Sequence, residues 1–235
     1  MRPFLLTLFL LTPLLHAEAP LKQQLEARSA EAAKTGDPEV RAAYARGIDA
    51  VAKTGILDSA KKIGDKAPDF TLKNAAGKKV SLSTMLKDGP VVLTWYRGGW
   101  CPYCNIALAA LEKSLPEIRK SGAQLVALTP ELPDKALTTK EKNSLDFEVL
   151  TDLNHKVAKA YGIAFDLTDE VRVLYKKHFD LTEFNGQEAG AGTLPLAATY
   201  IIDRKGIIRW AFADADYRKR AEPAEVVTFL SENPL

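Results

Sequence analysis

Cysteine, methionine and histidine are scarce in this chain of 235 residues: there are two, two and three of them. That scarcity leaves little from which to build a metal centre. A tetrahedral zinc site takes four ligands, and Cys101 and Cys104 would have to recruit His155 and His178, whose spacing is not finger-like. No long run of one charge is present either. Lys and Arg are interleaved with Asp and Glu, and the net charge is +2. The chain therefore lacks the basic stripe that tracks phosphates, and no nucleic-acid partner is expected. There is no glycine-rich phosphate loop, no internal repeat and no low-complexity segment. No stretch approaches the roughly 20 apolar residues that span a bilayer.

The first residues come nearest. Arg2 precedes an almost wholly apolar run from Phe4 to Leu15, followed by His16 and Ala17. This reads as a cleavable signal peptide over residues 1–17, with export to the periplasm or the extracellular space as the expectation. An uncleaved anchor and a buried helix are the alternatives. The run has no Cys, which excludes a lipoprotein anchor. Outside the cytosol thiols tend to be oxidised. A bridge between cysteines this close closes a tiny loop and stabilises little. A redox pair is thus a better reading of Cys101 and Cys104 than a structural staple.

Residues 18–62 read as a helical extension of two helices, with Asp37-Pro38 opening the second. Packing or spacing is its expected role. Asp69 to Leu72 and Val80 to Leu82 suggest a β-hairpin, and Pro90 to Tyr96 a buried central strand. Pro102 to Lys120 carries Leu108, Leu111, Leu115 and Ile118 at helical spacing. Strands are expected at Ala123–Leu128, Phe147–Leu150, Ala198–Ile202 and Ile207–Phe212. Helices are expected at Pro133–Asn143, Asn154–Tyr161, Asp169–His178 and Pro223–Leu230, and a loop over Phe184–Leu194. Such alternation predicts an α/β fold with helices on the faces of one sheet, over residues 63–235.

The chemistry concentrates in Trp95-Tyr96-Arg97-Gly98-Gly99-Trp100-Cys101-Pro102-Tyr103-Cys104. A Cys-x-x-Cys between a strand and a helix start is a redox signature. At a helix N-terminus the dipole and free N–H groups favour a thiolate, so Cys101 is expected below the usual thiol pKa of about 8.5. Cys101 reads as the attacking thiol and Cys104 as the resolving one. An inert buried pair is the bland alternative. Trp95, Trp100 and Tyr103 are pocket candidates, though aromatics on a central strand are more often core. Lys73, Lys78 and Lys79 read as solvated turn charges, His155 as a surface residue, and Glu131 as a cap for the segment after it.

From Gly64 to Leu230 the chain resembles the alkyl hydroperoxide reductase/thiol-specific antioxidant family, within the thioredoxin-like fold, and in particular its bacterioferritin-comigratory (Q-type) peroxiredoxins. Four segments carry the resemblance: Gly64 to Leu72, Trp95-Tyr96 with Cys101-Pro102, Leu128 to Glu131 with Leu150 to Asp152, and Tyr200 to Asp203 with Gly206 to Arg209. It implies a central mixed sheet flanked by helices and a thioredoxin-dependent peroxidase. Its Cys101 would become a sulfenic acid and condense with Cys104. It also implies a hydroperoxide substrate and a thioredoxin-like or small-thiol reductant, with no cofactor and no metal. The family's thiolate-holding arginine corresponds to Arg220, with Arg218 as substitute.

The chain departs from the family in its active-site loop. Gly98 stands where a Thr or Ser hydroxyl is usual, and Arg97 stands near the position of a proline. Arg97 is therefore a second candidate for holding the thiolate. Trp-Cys-Pro-Tyr-Cys also resembles glutaredoxins, which makes a thiol-disulfide oxidoreductase acting on exported proteins the alternative function. Against it, Ala197 and Ala198 precede Thr199 where those enzymes carry a cis-proline.

Overall fold

The computed structural model describes residues 19–186 and 192–235; the expected signal peptide and the middle of the Phe184–Leu194 loop lie outside the described residues. The described residues begin with three helices, α1 (Leu21–Thr35), α2 (Pro38–Lys53) and α3 (Ile56–Ser59). A seven-stranded mixed sheet follows, built from β1 (Thr71–Asn74), β2 (Lys79–Ser81), β3 (Val91–Trp95), β4 (Gln124–Thr129), β5 (Glu148–Thr151), β8 (Ala197–Ile202) and β9 (Ile208–Asp214). Its strand order is β2-β1-β5-β4-β3-β8-β9. β3, β4 and β5 run parallel, and the flanking pairs are antiparallel. The remaining helices are α4 (Leu82–Asp88), α5 (Pro102–Lys113), α6 (Leu115–Lys120), α7 (Pro133–Lys142), α8 (Lys156–Ala160), α9 (Asp169–His178), α10 (Leu181–Asn185) and α11 (Pro223–Glu232). This is the thioredoxin-like α/β architecture with an N-terminal helical segment.

All five residues of β3 are buried, as a central strand covered on both faces requires. One face packs Trp95 against Tyr161 and Tyr200, with ring centroids 4.8 and 5.9 Å away. Trp95 is therefore core. The other face meets α5 and α11 through Val92, Leu108, Leu111 and Val226.

Several expectations change at the level of single elements. The long helix after Cys101 divides at Ser114, because Pro116 lies in the first turn of α6 and supplies no N–H to continue the ladder. Ser81 caps α4, its hydroxyl accepting from Thr84 N–H, so the second hairpin strand passes directly into a helix. A short separate sheet pairs β6 (Ala164–Asp166) with β7 (Thr193–Pro195). Strands of three residues leave no period to read. His155 is not at the surface. It is 2% exposed, in the left-handed region at φ 56°, at the start of α8.

Candidate active site

β3 delivers the chain into a tight loop before α5. Gly98 has φ 151°, and a side chain there would bring its Cβ to 2.1 Å from Trp100 Nε1. A Cβ on Gly99 would stand 2.1 Å from Thr139 Oγ1. The hydroxyl residue usual at position 98 thus has no room here. The Glu131 carboxylate accepts from Gly99 N–H at 2.8 Å and from the Thr139 hydroxyl at 3.2 Å. It therefore pins the loop, and does not cap α7 as its position suggested. Asn105 adds a second clamp, donating to Gly99 C=O at 2.8 Å, and is itself held by Asn143.

Cys101 is the residue before α5 and Pro102 occupies the first turn. Pro102 needs no N–H partner there. Both thiols are free and buried, Cys101 at 2% exposed and Cys104 at 0%. Cys101 lines a cavity of about 440 Å³ whose lining does not include Cys104.

Two cations serve the pair. Arg220 Nη2 donates to Cys104 Sγ at 3.2 Å. Arg218 is committed elsewhere, as both its Nε and Nη2 bind the Asp216 carboxylate at 2.8 Å. Arg97 is 2% exposed. Its guanidinium sits 4.3 Å from the Tyr217 ring centroid and 5.1 Å from that of Trp100, and it donates to the Tyr175 hydroxyl. No carboxylate among the described residues forms an ion pair with it. Burial opposes its charge, but Tyr175, Cys101 and Cys104 together outweigh burial and hold its pKa above the ordinary value.

The thiols divide unequally. Burial raises Cys101, and its hydrogen bond with Cys104 raises it further, so it titrates well above the ordinary thiol. Burial also opposes ionisation of Cys104. There, however, the hydrogen bond from Cys101 and the charges of Arg220 and Arg97 prevail, so Cys104 titrates well below it. This reverses the expectation of a low-pKa Cys101. Desolvation and the placement of Arg220 outweigh the helix terminus.

Of the sequence candidates, Cys101, Cys104, Arg97 and Arg220 come together. Trp100 and Tyr103 line the cavity. Residues not anticipated for the site are Tyr175 and Phe179 of the α9 region, Tyr217 after β9, and Arg28, Arg41 and Tyr44 from α1 and α2. Tyr175 and Phe179 are one helical turn apart, which marks a common face but not what that face meets. The extension is more than a spacer, since α1 and α2 form one wall of the cavity. The histidines do not join the cysteines, and no group of three or more His, Cys, Asp or Glu among the described residues is placed to hold a metal ion.

The profile of the AhpC/TSA family matches residues 63–211. The chain belongs to the AhpC/TSA family. Within it this is a peroxiredoxin-like protein of the Q/Bcp type. It is 30% identical over 161 residues to the chloroplastic peroxiredoxin Q of Triticum aestivum, covering 68% of this chain and 63% of the relative. It is 29% identical over 102 residues to peroxiredoxin Bcp of Escherichia coli K12, covering 43% of this chain and 65% of the relative. The chain thus spans less than two thirds of the length of each. Peroxidoxin BcpB of Mycobacterium tuberculosis has a similar structure, with a TM-score of 0.57 at 21% identity over 73% of this chain and 97% of that one. That likeness establishes the fold. The AhpC/TSA match spans the whole Cys101–Cys104 loop but begins after α1 and α2.

Proposed function

We propose that this protein is a thiol-dependent peroxidase acting on hydrogen peroxide or organic hydroperoxides. The observation that carries the reading is Cys101 in the lining of a cavity, hydrogen-bonded to Cys104, with Arg97 and Arg220 beside the pair. Family membership supports it.

The resting charge lies on Cys104, and Cys101 holds the shared proton. As a peroxide enters, that proton passes to Cys104 and the Cys101 sulfur attacks the nearer peroxide oxygen. The O–O bond breaks, Cys101 becomes a sulfenic acid that keeps the peroxide hydrogen, and the leaving alkoxide or hydroxide takes the proton from Cys104 and departs as alcohol or water. Arg97 stabilises the oxygen charge that develops. The Cys104 thiolate then displaces hydroxide from Cys101, which takes up a solvent proton and leaves as water, and a disulfide results. A thioredoxin-like or small-thiol reductant returns the two electrons. A thiol-disulfide oxidoreductase would use the same pair, but the family match does not favour it.

Stopped-flow Trp fluorescence tests this, because Trp100 adjoins Cys101. Reduced protein mixed with peroxide should react far faster than a free thiol of matched pKa. Cys104→Ser should leave a sulfenic acid at Cys101 that dimedone traps. A rate no faster than the free thiol, or no adduct, sinks the reading. Export rests on the sequence of residues 1–17 alone, and the test is whether the protein recovered from outside the cytoplasm begins at Glu18.

A further inference from the structure

The cavity over Cys101 is larger than a hydrogen peroxide molecule needs, and its charge is one-sided. Four arginines line it, Arg28, Arg41, Arg97 and Arg218, against a single carboxylate, Asp37. That carboxylate is already occupied, accepting from Glu39 N–H at 2.8 Å to cap α2. Arg218 is paired with Asp216. Arg28 and Arg41 have no carboxylate partner among the described residues, and both stand on the wall made by α1 and α2. Trp100 and Phe179, stacked with ring centroids 4.8 Å apart, line the same cavity as Cys101. Arg28 is half-buried and Arg41 exposed, with one Arg41 N–H donating to Ala33 C=O at 2.8 Å; a cleft lined by charge of one sign concentrates ligands of the other sign. Guanidinium groups bind carboxylates as a planar fork.

We infer that this cavity binds a small thiol bearing carboxylates and that such a thiol directly reduces the Cys101–Cys104 disulfide. The inference rests on the reading of the pair as a redox couple. It adds a route in which α1 and α2 stay in place, beside reduction by a protein thiol.

The geometry fixes the direction of attack. Only Cys101 lines the cavity, so the incoming thiolate bonds to Cys101 sulfur and the Cys101–Cys104 bond breaks. The electron pair leaves on Cys104, where Arg220 Nη2 waits at 3.2 Å. A leaving thiol of low pKa departs faster, and Arg220 stands on that leaving sulfur. A second small thiol then attacks the sulfur of the first, releasing Cys101 as thiolate. Two thiols are consumed and one small disulfide is formed, and their two protons end on Cys101 and Cys104.

The test uses full-length protein oxidised with diamide, so that it does not depend on peroxide activity. Reduction by glutathione is compared with reduction by glutathione diethyl ester, at equal thiolate concentration, by mass spectrometry of quenched samples. The two probes differ in their carboxylates. Glutathione should be faster by about tenfold or more at low salt, and the ratio should shrink in 0.5 M NaCl, as expected for screened charge. The double variant Arg28→Glu/Arg41→Glu should bring the ratio to one or below. Arg28→Gln and Arg41→Gln, which keep the helices' surface polar, should each lower it partway. A wild-type ratio near one, a ratio unmoved by the variants, or failure of the pair to form a disulfide overturns the inference. Loss of peroxide consumption with the ratio intact would overturn the peroxidase reading alone.

Discussion

The two walls of the cavity are held in different ways. The wall that carries Arg97, Trp100 and Cys101 grows out of β3, a fully buried strand of the sheet, and is clamped by Glu131 and Asn105. The wall formed by α1 and α2 has no strand in the sheet. It is attached by side chains: Leu21, Leu25 and Val51 are buried in the core, Glu222 accepts from Leu21 and Lys22 N–H at 2.9 and 3.0 Å, Ser29 donates to the Tyr103 hydroxyl at 3.3 Å, Arg46 pairs with Glu170 at 2.6 Å, and Tyr44 meets Tyr175 edge-on at 5.8 Å. The reacting sulfur is placed by the part of the molecule that cannot shift without disturbing the core. The α1–α2 wall adds Arg28 and Arg41 to the same cavity without contributing a strand. Backbone hydrogen bonds in a buried sheet open only with global unfolding, whereas a docked helix opens at lower cost.

The largest expected effect is at the fixed wall. Arg97→Met should lower the rate of peroxide attack by about a hundredfold, the scale of losing one preorganised electrostatic partner. The melting temperature should not fall with it, because a buried cation without a carboxylate costs desolvation in the folded state. Arg97→Lys should not restore the rate, since an ammonium does not stack between Tyr217 and Trp100. A parallel loss of stability and rate would show Arg97 to be structural.

Arg220→Met sharpens the same wall from the Cys104 side. The Cys104 pKa is held down by the Cys101 hydrogen bond and by Arg220. Removing Arg220 raises it, so the acid limb of the pH–rate profile should move to higher pH by about one unit. A limb that stays in place removes Arg220 from the thiolate.

His155 tests the core beneath. Burial pushes its pKa down to about 4 from an ordinary 6.5. The unfolded chain therefore binds a proton that the folded one does not between those values. Stability is full above about pH 6.5 and declines toward pH 4, by up to about 3 kcal/mol at 1.4 kcal/mol per unit. His155→Asn, which tolerates the left-handed backbone, should flatten the decline in urea unfolding measured from pH 7 to pH 4.

The smallest effect belongs to the attached wall. Glu222→Ala removes the acceptor for the first turn of α1 and should cost about 1 kcal/mol. Amide exchange should accelerate in Leu21–Thr35 and stay unchanged in β3 and β4. Equal acceleration in the sheet would show that the two walls open as one unit.

Much of this was legible in the residues. The buried β3, the Cys-x-x-Cys at a helix start, the closing hairpin and the helix Asp169–His178 follow from local pattern and spacing. Arg97 and Arg220 were legible as candidates, Arg97 because it stands in the loop where the chain departs from its family, and Arg220 because the resemblance implies an arginine after the closing hairpin. What could not be read were partners distant in the chain. Glu131 looked like a local cap, yet its carboxylate turns back to Gly99. His155 looked exposed, and is buried under the fold. The role of α1 and α2 was invisible, since amphipathic spacing shows that a face is covered but not by what.

The two cysteines, their place at the start of a helix, and the segments from Gly64 to Arg209 that carry the family likeness could all be read along the chain. The first two are properties of near neighbours, fixed by helix geometry and turn chemistry. Which sulfur faces the cavity, and which one the cations favour as thiolate, came only with the packed fold. Those depend on desolvation and on Arg220, which lies 116 residues away from Cys104 in the chain and 3.2 Å away in space. Electrostatic energy follows the second distance.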